Sequence, residues 1–598
     1  MTDERLEKLR ALMRERGVDV YLVPTADFHE SEYVGAYFKA REYLTGFTGS
    51  AGTAVITQDD AALWTDGRYF IQAEREIQGS GFRLMKMGVP GFPTVREFVK
   101  EALPEGGVLG FDGRCVNARL AKQLLQDATE KQAVFYVEKD LVGEVWDDRP
   151  ALPFSEAWLL PEAYSGESTA HKLARVREKM KEYGASAYIL TSLDDIAWLL
   201  NLRANDIPYC PVLLSYLMLT TKGCVLYASE SALDPEVRAA LESCGITIAP
   251  YADIYKMADR LAARSVGKVL LNPDKVNYRI YSAVEKGNEI VEAADPTLIM
   301  KAVKNPTELD NIRRAHVKDG VAMVKWIYWL KNTVGKEPLD EFSAEQKLEA
   351  FRKEQEGFVE PSFKTICAYK DNAAMMHYNA TKSRHAEIFP EGFLLVDSGG
   401  HYLDGSIDIT RTIVMGPLTE EEKHLFTLVL RSNLSLAAAH FLEGVCGLNL
   451  DILARGPLWE EGIDYRCGTG HGIGYLLNVH EAPNGFRWRV VPERNDSAPF
   501  EPGMVTTDEP GVYMEGKLGI RTENELITVV DRDTEYGRFL KFETVTLCPI
   551  DLDAVLPEEL SYRERSLLNA YHKKVYEALS PYLSTEEKLW LRYETREV

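Results

Sequence analysis

No stretch of this 598-residue sequence stays apolar for the roughly 18 residues that a membrane span needs. The best candidate, from Pro211 to Leu219, stops far short, which excludes a helical membrane anchor. Paired cysteines are missing as well. The eight cysteines scatter from Cys115 to Cys548 at no repeating spacing, so reduced thiols in a cytoplasmic protein are expected rather than a disulfide framework. Positive charge is in deficit: Lys+Arg 69 against Asp+Glu 92 leaves a net charge of −23. Such a field repels polyanions, so neither nucleic acid nor an acidic membrane surface is an expected partner. Peptides and metal ions are not repelled. The amino-terminal TDERLEKLRALMRERG has no apolar run of the secretory-signal kind and reads as an amphipathic helix with Leu6, Leu9 and Met13 on one side.

What is present is an ordinary globular composition, 45% hydrophobic and 27% charged, in a chain long enough for roughly three or four domains. Two segments look like copies of one unit. GVDVYLVPTAD (Gly17 to Asp27) aligns without gaps to GASAYILTSLD (Gly184 to Asp194). Each follows an amphipathic helical stretch and runs through an apolar strand into a small polar turn, the pattern of an α/β layer element. Pro150 and Pro153 interrupt the pattern between them and mark a joint. A second joint lies near KAVKNPTELDNIRRAH, where Asn305 is an N-cap candidate, Pro306 takes the first helical position and Glu308 the first turn. The expected divisions are 1–152, 153–304 and 305–598.

The third segment carries the chemistry. FLLVDSGGHYLDGSIDITRTIVM predicts strands Leu394 to Asp397 and Ser406 to Val414 joined by a glycine-rich turn, with Asp397 and Asp408 able to meet. A charged residue inside an apolar strand is costly unless paired or metal-bound, although an aspartate pair at this spacing also fits residues that merely orient a turn. GMVTTDEPGVYMEGKLGIRTENELITVV predicts a second hairpin, Val505 to Val512 and Gly519 to Val529, carrying Glu509 and Glu523. Between the hairpins, His471 sits in RCGTGHGIGYLLNVHEAP among Gly468, Gly470, Gly472 and Gly474, a composition that permits close backbone approach. Four carboxylates and an imidazole brought together would repel one another if empty. Two divalent cations would balance the four negative charges and would suit a hydrolase with ions roughly 3.5–4 Å apart. An oxygen-rich, thiol-free donor set favours manganese, with cobalt, zinc or iron as alternatives.

The order of these five residues and their flanking motifs resemble the pita-bread metallopeptidases, and within them the large three-domain aminopeptidase P of cytosolic type. The likeness runs through SEYVGAYFKAREYLTGFTGSAGTAVIT, WTDGRYF, LDDIAWLLNLRANDIPYCPVLLSY, EGFVEPSFKTI, MMHYNA, LLVDSGG, DGSIDITRT, GTGHGIGYLLNVHEAP, DEPGVY, GIRTENE and the terminal WLRYETREV. It implies two related α/β domains of creatinase type followed by a pita-bread catalytic domain, an α/β and α+β chain that removes the first residue from peptides with proline second. By motif position it implies Asp397, Asp408, His471, Glu509 and Glu523 as metal ligands and Glu509 as the proton shuttle. His377 and His480 become substrate-contacting or proton-handling residues, Arg521 a holder of ligand carboxylates, and Arg68 a peptide contact. A homodimer through the catalytic domain is also implied. The helical LSYRERSLLNAYHKKVYEALSPYL offers an apolar face of Leu567, Leu568, Tyr571, Val575 and Leu579 that is either core or interface. His401, at the tip of the first hairpin, and His385 are expected to be solvated.

One departure stands out. The family pattern has a histidine four residues before His471, where this chain has Cys467. A thiol bonds more weakly than an imidazole and cannot carry positive charge, so altered turnover is expected. The alternatives are a prolidase limited to Xaa-Pro dipeptides, a methionine aminopeptidase with the same ligand order but no long N-terminal domains, and a pita-bread protein that binds peptides without cleaving them.

Overall fold

The computed structural model describes residues 2–491 and 494–598. Two compact units emerge, Met1–Glu162 with Glu167–Thr297, and Ala163–Gly166 with Leu298–Val598.

The first unit holds both copies, and their sheets have the same plan. In one, six strands run in the order Arg83–Lys86, Ala61–Thr65, Thr53–Thr57, Val20–Pro24, Val108–Gly110, Val134–Tyr136. In the other, the order is Ile246–Pro250, Cys224–Ala228, Tyr216–Thr220, Ala187–Leu190, Lys268–Leu271, Glu289–Glu292. Parallel and antiparallel pairings match strand for strand. Each copy opens with a helix, Thr2–Arg16 or Thr169–Glu182, followed by a glycine at positive φ, 66° at Gly17 and 64° at Gly184. That left-handed turn is cheap only for glycine, and it aims the chain into the central strand. Leu6, Leu9 and Met13 are buried, as the helical periodicity requires.

The copies also meet through equivalent residues. Ala118 N–H donates to Val276 O and Tyr278 N–H donates to Val116 O, both at 2.9 Å. Arg119 N–H donates to Pro273 O at 2.9 Å and Arg279 N–H to Gly113 O at 2.8 Å. Asn117 and Asn277, each the N-cap of its own helix, face each other across this antiparallel bridge. These backbone contacts recur with the partners exchanged, the signature of an isologous two-fold interface. Duplication of one α/β module explains topology and contact together.

The second unit begins where the sequence places its helix start. Asn305 and Glu308 form a capping box for the helix Pro306–Thr333, a device worth about 1 kcal/mol. Three sheets then carry the hairpins. Phe393–Ser398 pairs antiparallel with Ile366–Tyr369 on one side and Ile409–Val414 on the other. A six-stranded sheet runs His440–Leu442, Gly537–Thr544, Asn524–Thr534, Val505–Asp508, Gly470–Gly472, Glu481–Phe486. Gly511–Met514 and Leu518–Arg521 form a separate two-stranded pair. Trp326 from the long helix packs with Leu394, Val396, Ile409 and Ile413 behind the first hairpin.

Two expectations need correction. His401 is not solvated: it is fully buried, with Nδ1 2.8 Å from Ser406 Oγ. The connection it occupies is no bare turn, since Gly400–Tyr402 pairs with Phe358–Pro361 and with Gly405–Ser406, while Lys318 and Asp319 of the long helix bind Asp404 and Tyr402. The second hairpin is not two continuous strands. Each breaks midway, one at Glu509–Pro510 and the other at Thr522–Glu523. Proline has no N–H for the ladder, and the two halves pair in different sheets. Of the two readings open for the apolar face of Tyr562–Leu579, core or interface, the structure gives core: Leu568, Val575 and Leu579 are fully buried, the last two against Val321, Val324, Leu547 and Leu591. His385 is exposed, as expected. All eight cysteines are free. No helix among the described residues is long and apolar enough to cross a membrane.

Candidate metal centre

The breaks in the second hairpin are what build the site. At each break the backbone leaves its ladder and bonds elsewhere: Glu509 N–H donates to Thr469 O at 2.8 Å and Glu523 N–H to Thr410 O at 3.2 Å. Both carboxylates thereby turn towards the first hairpin. Asp408, just before the strand Ile409–Val414, is held by its own N–H, which donates to Glu525 Oε1 at 2.7 Å. His471 enters from the glycine-rich strand, its N–H donating to Thr507 Oγ1 at 3.0 Å and its Nδ1 lying 3.0 Å from Gly472 O.

Asp408, His471 and Glu523 each present a ligand atom, all within 4.8 Å of one another. His471 Nε2 lies 3.5 Å from Asp408 Oδ2 and 3.5 Å from Glu509 Oε1. Asp397 joins through Arg521, whose guanidinium bonds its Oδ2. The other oxygen, Asp397 Oδ1, is buried without a hydrogen-bond partner among the described residues. A buried carboxylate oxygen with nothing to accept from is an expensive arrangement, and a cation would satisfy it. The acids report the same need. Burial, followed by repulsion from neighbouring carboxylates, pushes Asp408 and Glu523 well above the usual carboxylate range and Glu509 up to about 7. The residues therefore fit divalent metal in chemistry and in charge.

The glycines act through proximity. A Cβ on Gly470 would sit 1.9 Å from Thr507 O, and one on Gly472 would sit 2.2 Å from Glu481 O. Neither neighbour can yield, because each is backbone. The sequence suggests a loop pressed against the metals; the structure shows a strand wedged between two others, with the imidazole projecting from it.

His480 lies beside His471, ring centroids 4.3 Å apart and planes at 78°. His377 is half-buried on the loop that follows Lys370–Ala374. The turn Lys370–Ala374 lies against the strand carrying Arg521, since a Cβ on Gly519 would fall 1.9 Å from Ala373 O. Beneath it, the buried Glu341 carboxylate accepts from Tyr369 N–H, Asn372 Nδ2, Tyr378 OH and Ala386 N–H at 2.7–2.9 Å. Cys467 has its thiol pushed up to about 11 by burial and by Glu509, so it is neutral. Arg68 belongs to the first unit, where Nε and Nη2 clasp Asp66 at 2.8 and 2.7 Å.

Several residues escaped sequence reasoning. Thr410 Oγ1 donates to Glu523 Oε2 at 2.7 Å and accepts from Arg521 Nε at 3.0 Å. Thr412 Oγ1 donates to Arg521 O, and Tyr513 OH receives Arg521 Nη1. A signal was available: Asp408, Thr410 and Thr412 alternate along one strand and so share a face.

Residues 5–136 and 148–308 each match the creatinase/prolidase N-terminal domain, residues 310–529 metallopeptidase family M24, and residues 538–598 the C-terminal region of that peptidase family. A probable Xaa-Pro aminopeptidase P of Aspergillus flavus is 40% identical over 613 residues, an alignment covering 100% of this chain and 93% of that one. The chain belongs to the aminopeptidase P branch of family M24. Among solved structures, the X-prolyl aminopeptidase of Caenorhabditis elegans, described as a cytosolic enzyme with a di-nuclear active site, matches with a TM-score of 0.94 at 33% identity over 100% of both chains. The creatinase-type domains and the pita-bread catalytic domain of aminopeptidase P are thus those of this chain. The Xaa-Pro dipeptidase of Bacillus anthracis shares the fold, with a TM-score of 0.50 at 24% identity, but spans 64% of this chain and 99% of its own.

Proposed function

We infer that this chain is a metal-dependent Xaa-Pro aminopeptidase that hydrolyses the bond between the first residue of a peptide and a proline in second position. The observation that carries this reading is the gathering of Asp408, His471 and Glu523, with Glu509 and Asp397 beside them, in a pocket whose acids are too crowded to ionise together unaided. Asp397, Asp408, His471, Glu509 and Glu523 would hold two divalent cations, and manganese suits this thiol-free donor set best. When bound, the cations supply Lewis acidity that activates water and polarises the scissile carbonyl.

The chain's own groups do the rest. An Xaa-Pro bond is a tertiary amide with no N–H and a fixed proline φ, so recognition cannot rely on pairing the substrate as a strand. Glu509 takes the proton from the attacking water and delivers it to the departing ring nitrogen. His480 and His377 donate to the carbonyl side and steady the tetrahedral oxyanion. Arg521 fixes Asp397, while Thr410 fixes Glu523. Arg68 contacts the peptide, a role that rests on the family motif WTDGRYF. The proposed domain limits are 1–152, 153–304 and 305–598. A cytoplasmic setting agrees with the free thiols.

The test is manganese-dependent release of the first residue from an Xaa-Pro-Pro-Xaa peptide. Cleavage of Xaa-Pro dipeptides alone would favour a prolidase, and near-zero metal content after manganese loading would favour a peptide-binding protein. Cys467→His should raise turnover or move the pH profile, because an imidazole can donate and carry charge where the neutral thiol cannot. Unchanged kcat and pH profile would show that the position is idle.

A homodimer is proposed through a patch on the helix Gly447–Glu460. Leu448, Ile452, Leu453 and Trp459 are exposed there, and Trp488 packs edge-to-face on Trp459 with centroids 6.2 Å apart. Large apolar groups clustered at a surface mark association sites. Light scattering should give twice the chain mass for the unaltered protein and the chain mass for Ile452→Asp/Trp488→Asp; a monomer throughout would reject the patch.

A further inference from the structure

Glu481 follows His480 directly, and its carboxylate is gripped from both sides. Lys301 Nζ lies 2.8 Å from Oε2, and Lys304 Nζ bonds Oε1. The three side chains are 5%, 1% and 3% exposed for Lys301, Lys304 and Glu481. With both oxygens held by ammonium groups, Glu481 is not available to a metal ion. As a stabilising device the cluster is a poor one, because desolvating buried ions costs several kcal/mol each and an apolar trio of similar volume is often as stable.

The surroundings supply a different reason for it. Glu481 pairs with Gly472, the neighbour of His471, at the point where the strand register shifts. The approach is so close that Gly472 has no room for a side chain. Lys304 is tied independently to the metal side: its N–H donates to Gly503 O at 3.1 Å, just ahead of the strand Val505–Asp508 that leads into Glu509. Gly503, at φ 100°, would place a Cβ 2.8 Å from Lys304 O. The capping box at Asn305 fixes the chain immediately beyond. One lysine thus joins, through its backbone and its side chain, the strand entering Glu509 to the residue that follows His480.

We propose that Lys301, Lys304 and Glu481 are positioning residues that set the placement of His480 against His471 during hydrolysis. The carboxylate offers two oxygens in a fixed plane, and an ammonium on each pins the start of the strand Glu481–Phe486. His480 then keeps its edge-to-face station at the metal pocket. This rests on the aminopeptidase reading above. Loss of the clamp affects catalysis more than ground-state binding, because a catalytic imidazole misplaced by about 1 Å can cost up to a hundredfold in rate.

The test compares metal-loaded unaltered enzyme with Glu481→Gln, Lys304→Met, and the apolar triple variant Lys301→Met/Lys304→Met/Glu481→Met. Turnover, KM, metal content and Tm are measured for each. In Glu481→Gln and in the triple variant, kcat is expected to fall between about tenfold and a hundredfold with KM within about twofold and metal content unchanged. The triple variant should keep or exceed the unaltered Tm, which separates placement from stability. If either isolated single variant fails to fold, the triple variant still decides. Retention of kcat within about twofold in folded, metal-loaded protein would overturn the clamp, as would a loss that simply follows lost metal. An unaltered enzyme with no turnover would instead sink the aminopeptidase reading, so the two failures are distinguishable.

Discussion

Asp408→Asn is expected to lower Xaa-Pro hydrolysis by at least about a thousandfold, equivalent to roughly 4 kcal/mol in the barrier. Asp408 is buried beside His471 and Glu523, and its backbone N–H is already committed to Glu525. An amide in its place keeps the shape but removes the charge and presents an NH2 group to the pocket, a poor donor set for a hard cation. The same substitution should have the opposite effect on the metal-free fold. With one crowded carboxylate gone, mutual repulsion falls and the amide can donate to Glu523. The chelated variant should therefore melt higher than the chelated unaltered protein at neutral pH. Activity within tenfold of the unaltered enzyme, or a lower metal-free Tm in the variant, would show that these groups do not share one electrostatic pocket.

The metal-free protein should lose stability as pH rises from about 4.5 through about 7. Asp408, Glu509 and Glu523 all have folded pKa values above their unfolded ones, chiefly through burial and then through their acidic neighbours. In that window the unfolded chain has released these protons while the folded chain keeps them. Stability is fully present below the unfolded pKa and drains away as pH climbs through the folded values, on the order of a few kcal/mol in total. Bound divalent metal replaces those protons and reverses the penalty, so the manganese-loaded protein should show no such decline. Melting curves at a series of pH values, with and without chelator, measure the difference. A metal-free Tm that rises with pH across the window would contradict the pocket's charge balance.

Much of the molecule was legible in order along the chain, and the reason differs by element. The amino-terminal helix could be read because Leu6, Leu9 and Met13 recur at helical spacing and nothing else competes for them. The helix beginning at Pro306 could be read because its cap is local, with Asn305 and Glu308 completing the capping box within one turn. The duplicated α/β module could be read from Gly17 and Gly184, both at positive φ where another residue would be strained. The four acids and the histidine could be listed because charged residues in apolar strands demand a partner.

Other features resisted. His401 sits in a connection that reads as solvent-facing, and only the long helix and the strand Phe358–Pro361, remote in sequence, close over it. The face of Tyr562–Leu579 is equally apolar whether it meets its own core or another molecule, and the packing of Val321 and Val324 decides the matter. Thr410, Thr412 and Tyr513 look like ordinary strand residues until Arg521 is seen to need acceptors. The clamp on Glu481 draws its lysines from about 180 residues away.

By itself, then, the sequence determined what is written locally: which segments form helices and strands, which module is repeated, and which side chains cannot be buried alone. Tertiary structure alone decided where the strands break, and so which carboxylates face one another. A strand pattern specifies the face on which a side chain lies. It does not specify the point at which a ladder is abandoned, because that depends on the hydrogen-bond partners that Thr410 and Thr469 offer from elsewhere in the chain.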